Sequence, residues 1–131
     1  MTLAGVCTVA LGSLIASACG ESTSSSSAPG LDAALVAEGQ RRANSNGCIA
    51  CHTLDGKTGV GPTWKGPAGR QVQLADGSSV MADDAYLRES VVDPNAKVVK
   101  GFAPGIMPAT FGRALTDQQV RALVEYMKSV Q

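Results

Sequence analysis

The chain alternates between periodic and aperiodic stretches. From Thr2 to Ala18 it carries no charged residue and runs almost wholly through Leu, Val, Ile, Ala, Gly, Ser and Thr. Residues 21–30, ESTSSSSAPG, then offer nothing to bury and read as a flexible tether. Periodicity starts at Leu31. Leu31, Leu35, Val36 and Gly39 recur at helical spacing and predict a helix to about Asn44, stopped by Asn46-Gly47. The stretch Leu54–Gly69 holds five Gly and two Pro and reads as loop. Partial alternation over Gln71–Val80, with a turn signal at Asp76-Gly77, predicts a short hairpin. A helix follows over Asp83–Val92, closed by Asp93-Pro94. The clearest helix is Thr116–Val130: Thr116 and Gln119 have capping-box spacing, and Val120, Leu123, Val124 and Met127 form one stripe. The pattern is that of a mostly helical domain whose long loops call for a central ligand to organise them.

The first apolar run is short for a membrane-spanning helix. It ends in Ala16-Ser17-Ala18-Cys19-Gly20, small residues before a cysteine, which resembles a bacterial lipobox. The expected organisation is a lipoprotein signal peptide at 1–18, a lipidated Cys19 heading a tether at 19–30, and a folded domain at 31–131. A plain signal-peptidase site and a retained anchor are the alternatives. Two features depart from the lipobox pattern: no Lys or Arg precedes the run, and Ala16 stands where a larger aliphatic is usual.

Composition sharpens the need for a ligand. The chain has only two Phe, two Tyr and one Trp, so a domain of this size has little large apolar surface of its own to bury. Eleven basic and eleven acidic residues balance, and no basic stripe points to nucleic acid. Four cysteines, Cys7, Cys19, Cys48 and Cys51, would suit a disulfide scaffold in an exported chain, but their spacing points elsewhere.

Cys48-Ile49-Ala50-Cys51-His52 has the spacing of the attachment signature for c-type haem. Two thiols two residues apart can add to the two vinyl groups on one porphyrin edge, and the next residue then lies under the ring, where an imidazole reaches iron. Cys48 and Cys51 are the expected thioether links and His52 the proximal ligand. A redox CxxC would want a βαβ setting. A zinc site would want further Cys or His ligands, and His52 is the one histidine. The sixth ligand is then sought among methionines. Met107 lies in a Gly/Pro-rich loop, Gly101–Pro108, that can present a thioether; Met81 is the reserve, and Met127 belongs to a helix stripe.

The ordered set GCIACHTLDGKTGVGPTWKG (47–66), DDAYLRESVVDPNAKVVKGF (83–102) and GIMP (105–108) resembles the class I c-type cytochromes. It looks most like the haem domain fused to subunit II of bacterial haem–copper oxidases. The resemblance implies a class I fold of about three to five helices around one covalent haem c. It implies that Pro62 packs on His52, that the Gly61-Pro62 backbone holds the ring N–H, that Trp64 and Arg70 bond a haem propionate, and that Gly39 lets the first helix cross the last near Tyr126. The chain departs from that pattern at Arg42-Ala43, where a Leu-Phe pair is usual, and at Ala68, where an aromatic is usual. It carries no copper-binding domain and no membrane hairpin, so it is expected to be a free-standing haem domain on a lipid tether. The implied function is single-electron transfer at the periplasmic or extracytoplasmic face, between a quinol-oxidising complex and a terminal oxidase, with no small-molecule substrate. The alternatives are a fixed haem subunit of a larger complex, such as alternative complex III, and, less favoured, a haem peroxidase or gas sensor.

Overall fold

The computed structural model of the protein describes residues 30–131; the expected signal peptide, Cys7, the lipidation site Cys19 and the serine-rich stretch up to residue 29 lie outside the described residues. The described chain runs α1 (Ala33–Ser45), α2 (Cys48–Cys51), β1 (Gln71–Gln73), β2 (Ser79–Met81), α3 (Asp84–Val92), α4 (Phe111–Ala114) and α5 (Asp117–Ser129). None of these helices is long and apolar enough to cross a membrane.

The first helix begins later than Leu31 because Asp32 caps it: the carboxylate accepts from the N–H groups of Ala34 (2.9 Å) and Leu35 (3.1 Å). The last helix opens on the expected capping box. Gln119 N–H donates to the Thr116 hydroxyl at 3.3 Å, and Thr116 N–H donates to the Gln119 side chain at 2.9 Å. Its apolar stripe is buried as the spacing requires, with Val120, Leu123, Val124 and Met127 all in the core together with Ala122 and Tyr126.

The helices α1 and α5 cross at Gly39. A Cβ at that position would lie 2.0 Å from the Ala122 carbonyl oxygen and 2.6 Å from the Tyr126 Cβ, so only a hydrogen fits there. One turn later Ala43 is fully buried in the cluster that holds Trp64, Leu123 and Tyr126. The neighbouring Arg42 turns outward and pairs with Glu38 at 2.6 Å. The Arg42-Ala43 departure thus places a small residue in the core and a charge on the surface.

The hairpin forms with Gln71 opposite Met81, Val72 opposite Val80 and Gln73 opposite Ser79. Asp76 closes its turn by accepting from Ser78 N–H at 2.9 Å. The structure adds a contact that periodicity did not indicate: beyond β1, Leu74 bridges to Val99, so the hairpin also holds the segment that follows α3. Helix α3, capped by Asp83, buries Tyr86, Leu87 and Val91. The one-turn helix α4 was not foreseen, being too short to carry a period. It sits on the end of α3, where a Cβ on Gly112 would lie 2.5 Å from the Val92 carbonyl oxygen.

The crossing gives a test with an unusual sign. In an exposed helix, replacing Gly stabilises by up to about 1 kcal/mol. Here Gly39→Val is expected to lower the unfolding free energy by about 3 kcal/mol, because α1 and α5 must separate to admit the side chain. Denaturant titration of the haem-loaded domain measures it, and a neutral or stabilising result would contradict the close crossing.

Candidate functional site

The site starts where α1 ends. Gly47 takes a left-handed φ of 72°, which re-aims the chain into the single turn α2. Cys48 and Cys51 are its first and last residues, so both thiols sit on one side of that turn. Cys48 is half-buried and Cys51 exposed, and neither is in a disulfide. Burial pushes the Cys48 thiol pKa up. His52 leaves the helix in an extended conformation, while its N–H still reaches the Cys48 carbonyl at 2.9 Å.

The imidazole is held by one bond. Its Nδ1 lies 2.7 Å from the Pro62 carbonyl oxygen. A carbonyl only accepts, so Nδ1 carries the proton and Nε2 keeps its lone pair. Burial lowers the His52 pKa, with the Pro62 carbonyl opposing in part. The ring is therefore held neutral, in the state and tautomer a metal ligand requires.

That bond exists because residues 59–64 fold back along residues 51–53. Gly61 N–H donates to the Cys51 carbonyl at 3.0 Å, and Trp64 N–H donates to the Thr53 carbonyl at 2.8 Å. The Thr63 hydroxyl donates to the same Thr53 carbonyl at 3.1 Å. The approach is close enough to demand glycine at the imidazole: a Cβ on Gly61 would lie 2.6 Å from the His52 Cε1. Trp64 stacks beside the imidazole, centroids 5.1 Å apart at 22°, and meets Tyr126 edge-on at 6.2 Å.

Beside this assembly is a cavity of about 640 Å³, within the range of cofactor sites. Cys48, Cys51, His52, Pro62, Trp64, Arg70 and Met107, the residues expected to hold haem, all line it. So do Trp64, Tyr86, Phe102 and Phe111, which leaves Tyr126 as the one aromatic away from its wall. Met81 is not among the lining residues; it sits on β2, 43% exposed. Met127 is 2% exposed and belongs to the core, as its helix stripe required, though it also touches the wall. The Arg70 guanidinium donates to the Lys65 carbonyl at 3.0 Å on the exposed side.

Residues 36–131 match the family model described as cytochrome c. The chain belongs to the cytochrome c family. It is 36% identical over 96 residues to cytochrome c2 iso-1 of Magnetospirillum fulvum, covering 65% of this chain and 92% of that protein. Its identity to cytochrome c2 iso-1 of Magnetospirillum molischianum is also 36% over 96 residues, covering 65% and 91%. Among solved structures, cytochrome cH from Methylobacterium extorquens is similar at a TM-score of 0.51 and 26% identity, covering 71% of this chain and 96% of that one. The five helices and short antiparallel hairpin are those of a class I cytochrome c.

As a cytochrome c the protein carries one covalently bound haem c and transfers single electrons. The residues present fit that group. Two unbridged thiols share one turn, a neutral imidazole stands next to them, and an apolar, aromatic-lined cavity adjoins all three. Sequence reasoning missed Thr53, whose carbonyl ties down the returning loop, and the aromatic wall built by Tyr86, Phe102 and Phe111. The available signal was Phe102 within a Gly/Pro loop, an apolar residue where nothing local needs burying.

Gly61→Ala tests the fold-back. The added methyl forces the imidazole and the Pro62 carbonyl apart, and the expected cost is roughly 1–3 kcal/mol of unfolding free energy. A shifted His52 Nδ1–H resonance in NMR should accompany it. An unchanged resonance would show that the loop yields without moving the ring.

Proposed function

We propose that this cytochrome is a membrane-tethered, monohaem shuttle that passes single electrons from a quinol-oxidising complex to a terminal oxidase on the extracytoplasmic face. The observation that carries the site reading is the single cavity that collects Cys48, Cys51, His52 and Met107 while leaving Met81 out. In this reading Cys48 and Cys51 would hold the haem through thioether links, and His52 Nε2 and the Met107 sulfur would ligate its iron. Haem supplies a one-electron couple, and a methionine ligand sets it higher than a second imidazole would. Trp64 and Arg70 bond a propionate, and Pro62 positions His52.

With His52 and Met107 both ligating, the chain's residues would leave the iron no open site for a substrate, and the haem would supply one-electron transfer alone. Ile49 (41% exposed) and Ile106 (57% exposed), with the exposed Ala50 and Ala103, supply small apolar surface for a brief contact. Among the described residues the cavity wall carries no Asp, no Glu and no second His, which weighs against a peroxidase that needs an acid/base partner.

The tether rests on sequence alone. The small-residue run before Cys19 supports lipidation there, with residues 19–30 as the serine-rich tether and residues 31–131 as the haem domain. The likeness of residues 47–66 to the haem domain of oxidase subunit II supports an oxidase as acceptor. The same lipid anchor also suits a second reading, a fixed haem subunit of a larger respiratory complex.

Two measurements check these readings. Met107→Ala should abolish the weak long-wavelength ferric band of a methionine–iron bond, while Met81→Ala should leave it intact. The reverse outcome would reassign the ligand. Cys19→Ser should abolish incorporation of a labelled fatty acid into the haem-stained protein; an unsubstituted protein that takes up no label would remove the lipid anchor from the account.

A further inference from the structure

The segment from Asp93 to Thr110, between α3 and α4, is a loop with a built frame. Its two feet meet where Gly112 lies against the Val92 carbonyl. Its middle hangs on the hairpin: Ala75 N–H donates to the Val98 carbonyl at 2.8 Å, and Lys100 N–H donates to the Gln73 carbonyl at 2.9 Å. That leaves the stretch from Gly101 to Pro108, which carries Met107. Here backbone pairing is sparse, with only the local turn bond from Phe102 N–H to the Val99 carbonyl. One side chain reaches across. The Asn95 Oδ1 accepts from Gly105 N–H at 2.7 Å, over ten residues of chain. Gly105 takes a left-handed φ of 76°, the sharp bend from which Met107 follows two residues later. Asn95, Gly105 and Met107 all line the haem cavity.

We propose that Asn95 is a positioning residue for the sixth ligand: its amide oxygen closes the neck of the loop and holds the Met107 thioether at iron. The inference rests on the reading of Met107 as that ligand. The physical case is entropic. An unclamped Gly/Pro stretch samples many conformations, and each one away from the iron competes with ligation. A hydrogen bond across the neck removes many of them at the cost of ordering one short side chain. If the clamp contributes what a single hydrogen bond does, its loss weakens Met107 against a competing ligand by roughly tenfold.

The test uses haem-loaded ferric protein and titrates it with imidazole, which displaces a methionine ligand. Asn95→Ala should bind imidazole at roughly tenfold lower concentration than the unsubstituted protein. Asn95→Asp keeps an acceptor oxygen at the same place and should stay near the parent value. Met107→Ala sets the limit of an open iron. Equal imidazole affinity in the parent and Asn95→Ala, with a large gain in Met107→Ala, would overturn the clamp and leave the ligand reading standing. No gain in Met107→Ala would overturn the ligand reading itself. An equal gain in Asn95→Ala and Asn95→Asp would also overturn the clamp, since the acceptor would not matter. Amide hydrogen exchange in the unsubstituted protein gives an answer that needs no variant: Gly105 N–H should be protected, and exchange at the rate of its free neighbours would contradict the bond.

Discussion

The hydrogen bond from the His52 ring to the Pro62 carbonyl is the joint on which the site turns. It connects a motif that is local in sequence to a loop that has no regular structure of its own. Without it the imidazole could rotate, take the other tautomer or gain a proton, and each change takes away the directed Nε2 lone pair that a metal would need. The bond needs close approach, and close approach needs Gly61, because any side chain there meets the ring. The Gly-rich run that looks like slack in the sequence is therefore the part of the chain under the tightest steric control.

The rest of the domain divides the work between stiff and adaptable parts. The Gly39 crossing packs α1 backbone against α5 and so fixes α1, beyond whose end at Ser45 α2 starts with its two thiols. Trp64 couples this frame to the site, flat beside His52 and edge-on to Tyr126. The hairpin does a different job. Its strands are only three residues long, too little for independent stability, yet its far edge receives the segment after α3 through Leu74 and Val99. It serves as a peg for the loop that carries Met107.

Much of this was legible in the sequence, for physical reasons that differ by element. The α5 stripe and its capping box read correctly because amphipathic period and cap chemistry are local. The CxxCH motif pointed to haem because its chemistry needs those residue types at that spacing, and the family match bears out the haem. Gly39 and the Gly61-Pro62 backbone were placed through family resemblance; no local rule distinguishes a glycine that permits close approach from one that merely loosens a helix. What stayed hidden was non-local. The Val99 bridge, the Asn95 reach to Gly105 and the seating of α4 on Val92 depend on residues far apart along the chain. Each involves a segment too short to show a period. That Met107 lines the cavity and Met81 does not is likewise a property of tertiary structure.

The crossing of α1 and α5 has a consequence in time as well as in space. Gly39 and Ala122 stand near opposite ends of the haem domain, so their contact is among the last a growing or threading chain can make. Cys48 and Cys51 emerge early, directly behind α1, and the cavity beside them lacks the Met127 part of its wall until α5 arrives. A fold built this way leaves its two thiols open to modification on a loose chain and completes the cavity beside them afterwards. The same glycine that brings the two helices together thus also divides the protein's history into a period of attachment and a period of enclosure.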